Sequence, residues 1–304
     1  MLRIAERVLP DGTRKKVQPF HISMEGMESL VLCRDDEDYD AMVKILCVAS
    51  RRKNVIIIIY AVVSNHCHVA VLAKRQAEAH GYGQEVKRMY SMWLSRKYDV
   101  RRALKLVDVK AILLDNDWYV RNALAYVPRN AMDNGCNVNE YRWSGYRAMF
   151  CTPEPGRPVS ALTKRERRSL MHTDDDLSGV AWLLDADNHL IPSSFCDREY
   201  LEQAFEHDQT FFMKTVSGSK AAEMKQKLID SPRQTMTDTD FLNAANAVSE
   251  KWFRYPLTMM PLEKKAGLVL YMYRTTRTSI PQLARIFEMS REKVSQIIGR
   301  KAGE

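Results

Sequence analysis

His66-Cys67-His68 sets two imidazoles two residues apart. In an extended strand, residues i and i+2 project from one face, so such a pair can hold a metal ion between two ring nitrogens. With seven histidines in 304 residues the triplet is informative without being a motif by itself, since two half-exposed strand histidines read the same way. By the same alternation Cys67 points to the opposite face and is expected to be a small apolar core residue, not a ligand. A second constellation is Tyr126 with Asn130, four residues apart, which a helix places on one face. A phenol of ordinary pKa, about 10, is a weak nucleophile until a neighbouring base or cation favours its phenolate, and an amide oxygen is a hard ligand suited to Mg²⁺ or Mn²⁺. Thirteen tyrosines are present, and most tyrosines are packing residues with a polar tip. Pro128 lies between the two residues, removes a helical hydrogen bond and predicts a kink or an end of the helix near Val127.

The elements around these residues follow from hydrophobic spacing. Residues 18–32 read as a strand, and the acidic run Asp35-Asp36-Glu37-Asp38 then starts a helix to about residue 52. The apolar run 55–63 is too dense for a half-exposed strand and predicts a central strand covered on both faces. A strand over 66–72, a helix over 77–98, a strand over 107–114 and a helix from Asp117 capped by Asn116 complete the pattern. An α+β sandwich of about 130 residues, one sheet with helices laid on it, is the economical solution. Three prolines in 152–158, followed by Lys164-Arg165-Glu166-Arg167-Arg168, mark a linker. The expected division is an α+β domain over 1–150, a linker over 151–175, a helical region over 176–255 and a helix-turn-helix region over 256–304. The helical region shows fragments at 198–205 and 241–252 and no motif that carries chemistry. Helices over 262–273, 280–287 and 291–300, with a turn at Glu288-Met289-Ser290, have the layout of a helix-turn-helix.

Composition bounds the function. Hydrophobic residues at 45% and charged residues at 28% are globular values, and 12 glycines with 11 prolines exclude collagen-like and low-complexity chains. The six cysteines form no C-x-x-C pair, which excludes a zinc ribbon or a thioredoxin-like motif and fits a reducing cytoplasm. The first sixteen residues are charged, and 55–63 is far shorter than the roughly 20 apolar residues of a membrane span, so neither secretion nor membrane insertion is expected. The net charge of +8 suits an anionic partner.

Taken in order, these features resemble the HUH single-tyrosine transposases, and most nearly their REP-associated branch. The resemblance rests on His21-Ile22-Ser23-Met24-Glu25-Gly26, the acidic start Asp35 to Tyr39, Tyr60-Ala61-Val62-Val63-Ser64-Asn65-His66-Cys67-His68, Tyr126 with Asn130, and Tyr141-Arg142-Trp143-Ser144-Gly145-Tyr146-Arg147. It covers about residues 17–150. It implies a ferredoxin-like antiparallel sheet with helices, the HUH endonuclease fold, followed by the all-α region. It further implies that His66, His68 and Asn130 bind Mg²⁺ or Mn²⁺, and that Tyr126 attacks the scissile phosphate of single-stranded DNA. The products are a 5′-phosphotyrosine and a free 3′-hydroxyl, a reversible step that needs no ATP and no small-molecule cofactor. Family members act on hairpins formed by repeated extragenic palindromes, in the bacterial cytoplasm and nucleoid. The partner implied is DNA, single-stranded and hairpin, and the site is complete in one chain or shared across a homodimer.

Basic clusters in the catalytic half include Arg14, Lys15, Lys16, Arg51, Arg52, Lys53, Lys87, Arg88, Arg96, Lys97, Arg101, Arg102 and Lys105. Of these, Arg51, Arg52, Lys87 and Arg88 are candidate DNA contacts in the catalytic domain, while Arg291, Glu292, Ser295 and Gln296 are expected on the outward face of the recognition helix. Two other readings stay open: a DNA-binding regulator or architectural protein derived from such an enzyme, and a structural metal site at His66 and His68.

Overall fold

A computed structural model describes residues 2–25, 31–99, 104, 107–133, 136–218, 237–276 and 278–299. Arg101, Arg102 and Lys105 lie outside the described residues. The chain divides into two units, one of Met1–Glu25, Asp36–Val63 and Cys67–Met224, the other of Gly26–Asp35, Ser64–His66 and Lys225–Glu304.

The first unit is α+β. Strands β1 (Ala5–Val8) and β2 (Arg14–Glu25) form an antiparallel hairpin. Sequence reading leaves β1 unassigned because its four residues alternate between half-buried and exposed at a sheet edge. The second half of β2 runs between β4 (Cys67–Ala73) and β5 (Asp108–Leu113), and β3 (Ile56–Val62) pairs with β4. Every pairing is antiparallel, and the order is β5-β2-β4-β3.

Three helices cover this sheet: α1 (Asp36–Lys53), α2 (Gln76–Tyr98) and α3 (Asp117–Asp133). Acidic Asp36, Glu37 and Asp38 open α1 and basic Arg51, Arg52 and Lys53 close it, as the helix dipole favours. Buried Asp38 accepts hydrogen bonds from Trp93 (3.2 Å), Lys97 (2.9 Å) and Tyr98 (2.6 Å), tying α1 to α2. Helix α2 lies against the face of Ile22 and Val109: a Cβ on Gly83 would run into both, so only glycine permits this approach.

The run 55–63 is not central, as its density predicted, but forms the outer strand, pairing among the described strands with β4 alone. Its apolar character has another cause. Irregular segments close its outer edge through bridges Ala61–Ser144 and Ile57–Cys196, with Val62 N donating to Trp143 O (2.9 Å) and Asp197 N to Ile57 O (2.8 Å). All of Ile57 to Val62 is therefore buried. The Tyr141 to Arg147 motif serves this closure: Tyr141 OH donates to Val62 O (2.6 Å), and a Cβ on Gly145 would crowd the Tyr60 ring and amide at 3.2 Å.

The expected linker does not separate the units. Arg157–Pro158 pairs with Leu183–Leu184, helix α4 (Lys164–Met171) starts at a Thr163/Glu166 capping box, and α5 (Arg198–Ala204) and α6 (Gln209–Ser217) follow within the first unit. Arg121 Nε donates to Ala204 O (2.6 Å) and Arg129 Nη1 to Val216 O (2.7 Å), fastening α3 to this segment.

In the second unit, helices Asp238–Phe253, Leu262–Thr275, Ile280–Phe287 and Arg291–Ile298 share a core of Phe241, Leu268, Val269, Met272, Leu283, Phe287 and Val294. Val31 packs on that core. Buried Asp238 binds Arg285 through two nitrogens (2.7 and 2.8 Å) and Gln282 (3.0 Å).

Candidate functional site

The register of the sheet builds the cluster. Ser23 lies opposite His68 and His21 opposite Ala70 in the β2/β4 pair, so His21 and His68 are diagonal neighbours on one face. Ile22 and Cys67 project to the other face. Cys67 is accordingly a buried core thiol, as alternation predicted, and burial pushes its pKa up.

His21 Nε2 and His68 Nδ1 are 3.1 Å apart, and their rings lie edge to edge, centroids 5.1 Å apart with 17° between planes. Tyr126, from α3, sets its ring edge-on to His68 at 5.1 Å and to His21 at 6.3 Å. Tyr126 is 5% exposed and His68 9%. Three rings from three elements therefore meet, with His68 and Tyr126 together as the expected chemistry requires. Burial of the His21 ring pushes its pKa down to about 4 and keeps it neutral near pH 7. Sequence reading gives His21 no role of its own. Its contact depends on cross-strand register, which a single sequence does not display.

Of the kink or end expected near Val127, the end does not occur: helix α3 runs through Pro128 to Asp133. Packing of α3 between the sheet and the α5–α6 segment outweighs the missing hydrogen bond. Asn130 thus keeps its place one turn after Tyr126 and is buried. Its Nδ2 donates to Tyr126 O (2.9 Å) and Val127 O (3.1 Å), so any role toward a ligand falls to Oδ1. His66 precedes β4 and is not held by strand alternation; its Nδ1 meets Asn65 Oδ1 at 2.9 Å, and packing groups it with Ser64 and Asn65 in the second unit.

Among the described residues, no group of three or more His, Cys, Asp or Glu side chains is arranged to hold a metal ion. Imidazole and amide donors without a carboxylate fit a cation that keeps part of its shell for water and phosphate oxygens, as Mg²⁺ and Mn²⁺ do, and do not fit a closed tetrahedral zinc site.

The basic candidates separate into two groups. Arg52 is bound by Asp175 (2.6 and 2.9 Å) and Glu85 (2.8 Å), Arg88 by Glu85 (2.6 and 3.0 Å), and Lys87 donates to Val107 O. Arg52 ties α1 to α2 and to the segment at Asp175, Lys87 ties α2 to the residue before β5, and Arg88 pairs with Glu85 within α2. Arg14, Lys15 and Lys16 are exposed on the β1–β2 hairpin, and among the described residues neither they nor half-buried Arg51 form an ion pair. Asp11 in the hairpin turn exchanges hydrogen bonds with Asn54 (2.7 and 3.0 Å), which brings that turn to the basic end of α1.

In the second unit Gln296 is exposed and Arg291 half-buried, but Ser295, expected on the outward face, is 5% exposed. It is one turn before Ile298 and next to Val294, on the stripe that packs inward. No helix among the described residues is long and apolar enough to cross a membrane. No family model, no curated protein and no solved structure matches the chain.

Proposed function

We propose that the protein is a metal-dependent DNA strand transferase of the HUH single-tyrosine kind, acting on single-stranded or hairpin DNA through Tyr126. The observation that carries this reading is the Tyr126–His68 ring contact at 5.1 Å, between residues far apart in the chain. Two features support it: the sheet order β5-β2-β4-β3 is that of a ferredoxin-like βαββαβ unit, and α3 keeps Asn130 on the Tyr126 helix.

In this reading His68 and the Asn130 oxygen would hold the cation; His66, expected as a ligand from H-x-H spacing, lies outside β4. A bound Mg²⁺ or Mn²⁺ polarises the scissile phosphate and offsets charge in the transition state. The Tyr126 oxygen forms a bond to phosphorus as the P–O3′ bond breaks. The phenol proton passes to water, and the released 3′ oxygen takes one up. The phosphotyrosyl ester retains the energy of the diester, so a 3′-hydroxyl can reverse the step. Arg14, Lys15 and Lys16 grip backbone phosphates, and the last two helices act as a helix-turn-helix on duplex.

Incubation of labelled hairpin DNA with the protein and Mn²⁺ is expected to give a covalent adduct that survives denaturant and is absent in Tyr126→Phe. A second reading, a DNA-binding regulator that no longer cuts, is favoured by the burial of Tyr126. Retained hairpin binding with no adduct in the wild type would establish it.

A further inference from the structure

We propose that His21 is a positioning residue that fixes the tautomer and ring orientation of His68. This rests on the metal-dependent reading of His68 and Tyr126, and it assigns a part to a residue outside the expected ligand set.

A neutral imidazole carries one proton on two nitrogens. The 3.1 Å contact between His68 Nδ1 and His21 Nε2 requires one proton between them, on one nitrogen or the other. For His68 to offer a lone pair to a cation through Nε2, its proton must sit on Nδ1. His68 Nδ1–H is then the donor, His21 Nε2 is the acceptor, and His21 carries its own proton on Nδ1. The opposite arrangement puts the His68 proton on Nε2 and abolishes ligation there. A metal-binding histidine commonly gives its second N–H to a carboxylate, a carbonyl or water; here another imidazole takes that place.

The surroundings hold the bond in place. The β2/β4 register fixes both Cα positions, the two rings lie within 17° of parallel with their nitrogens facing, and the Tyr126 ring stands edge-on to both at 72° and 74°. Ala70 opposite His21 and Ala61 opposite His68 leave room for two rings on that face. Rotation of the His68 ring would break the hydrogen bond and collide with Tyr126.

The test is Mn²⁺ affinity of the full chain, read from free Mn²⁺ by electron paramagnetic resonance, with the metal alone and no DNA. His21→Phe keeps a ring of similar volume and removes the acceptor, and is expected to weaken Mn²⁺ binding about 10- to 100-fold. His21→Gln, whose amide oxygen can accept from His68 Nδ1–H, is expected to stay within about threefold of wild type. A purely structural His21 would not separate these variants by acceptor chemistry. Circular dichroism melts and metal-free hairpin binding serve as fold controls. Unchanged Mn²⁺ affinity in a folded His21→Phe, with binding lost in His68→Ala, overturns the role of His21 alone. Gln as poor as Phe also overturns it. Equal Mn²⁺ binding by wild type and His68→Ala overturns the metal reading and this role with it. Should His21→Phe not fold, ¹⁵N-resolved histidine spectra of the Mg²⁺-loaded wild type decide: protonated Nδ1 on both rings supports the assignment, and protonated Nε2 on His21 overturns it.

Discussion

At 5% exposure, the Tyr126 ring sets a condition on any reaction at its oxygen: the phosphate has to reach a phenol packed against two imidazoles. Asn130 is the residue best placed to report whether a cation helps. Its Nδ2 already holds the Tyr126 and Val127 carbonyls, so an alanine there removes two hydrogen bonds together with the candidate ligand oxygen. Asn130→Ala is expected to lower stability by about 1–2 kcal/mol, as the loss of buried hydrogen bonds does, and to weaken Mn²⁺ binding at least tenfold. Urea unfolding measures the first and metal titration the second. Unchanged Mn²⁺ affinity would leave Asn130 as a helix-bracing residue only.

Between elements, the clamp at Arg52 shows how residues legible as a basic run are reassigned by folding. Arg88 and Arg52 hydrogen-bond Glu85 and hold its carboxyl down to about 2, and Arg52 lowers Asp175 as well. Both folded-state pKa values lie below their ordinary values, so the stabilisation is fully present above about pH 4.5 and is lost as pH falls toward 2. The sites are partly solvated, which limits the effect to about 1 kcal/mol. The urea midpoint is expected to drop between pH 6 and pH 3, with a smaller drop in Arg52→Ala; an equal drop in both would mean that other carboxylates dominate. Sequence periodicity found α1, α2, β5, the Asn116 cap and the helix Ile280–Phe287 at or near their observed bounds, since amphipathic spacing and capping are local. It misplaced β3 as central and expected a kink or an end near Val127, where α3 continues to Asp133. An apolar run records burial without recording what buries it, and the proline cost is offset by packing supplied from residues after 150.

For the whole molecule, charge and division into units shape how DNA would be met. A net charge of +8 with exposed cations on the β1–β2 hairpin predicts affinity that falls steeply with salt, whereas the buried Asp238–Arg285 pair adds nothing to that slope. In the second unit, Arg291→Ala with Gln296→Ala is expected to weaken duplex binding about tenfold or more at fixed salt and to leave single-strand cleavage intact. Filter binding and the adduct assay read the two outcomes; equal loss of both would make this unit a structural element. Substitution is a cleaner test than truncation, because Val31 packs on the core of that unit. The sequence by itself determined the residue types able to do chemistry, the order of the main strands and helices, and the inward turn of Cys67, because alternation and helical spacing depend on near neighbours. Only the tertiary structure decided that His21 meets His68, that Ser295 faces inward, that Arg52 and Arg88 are spent on ion pairs, and that residues 151–224 belong to the first unit. Each of these depends on strand register or on the packing of segments distant in the chain, where the energy lies between residues that no local pattern relates.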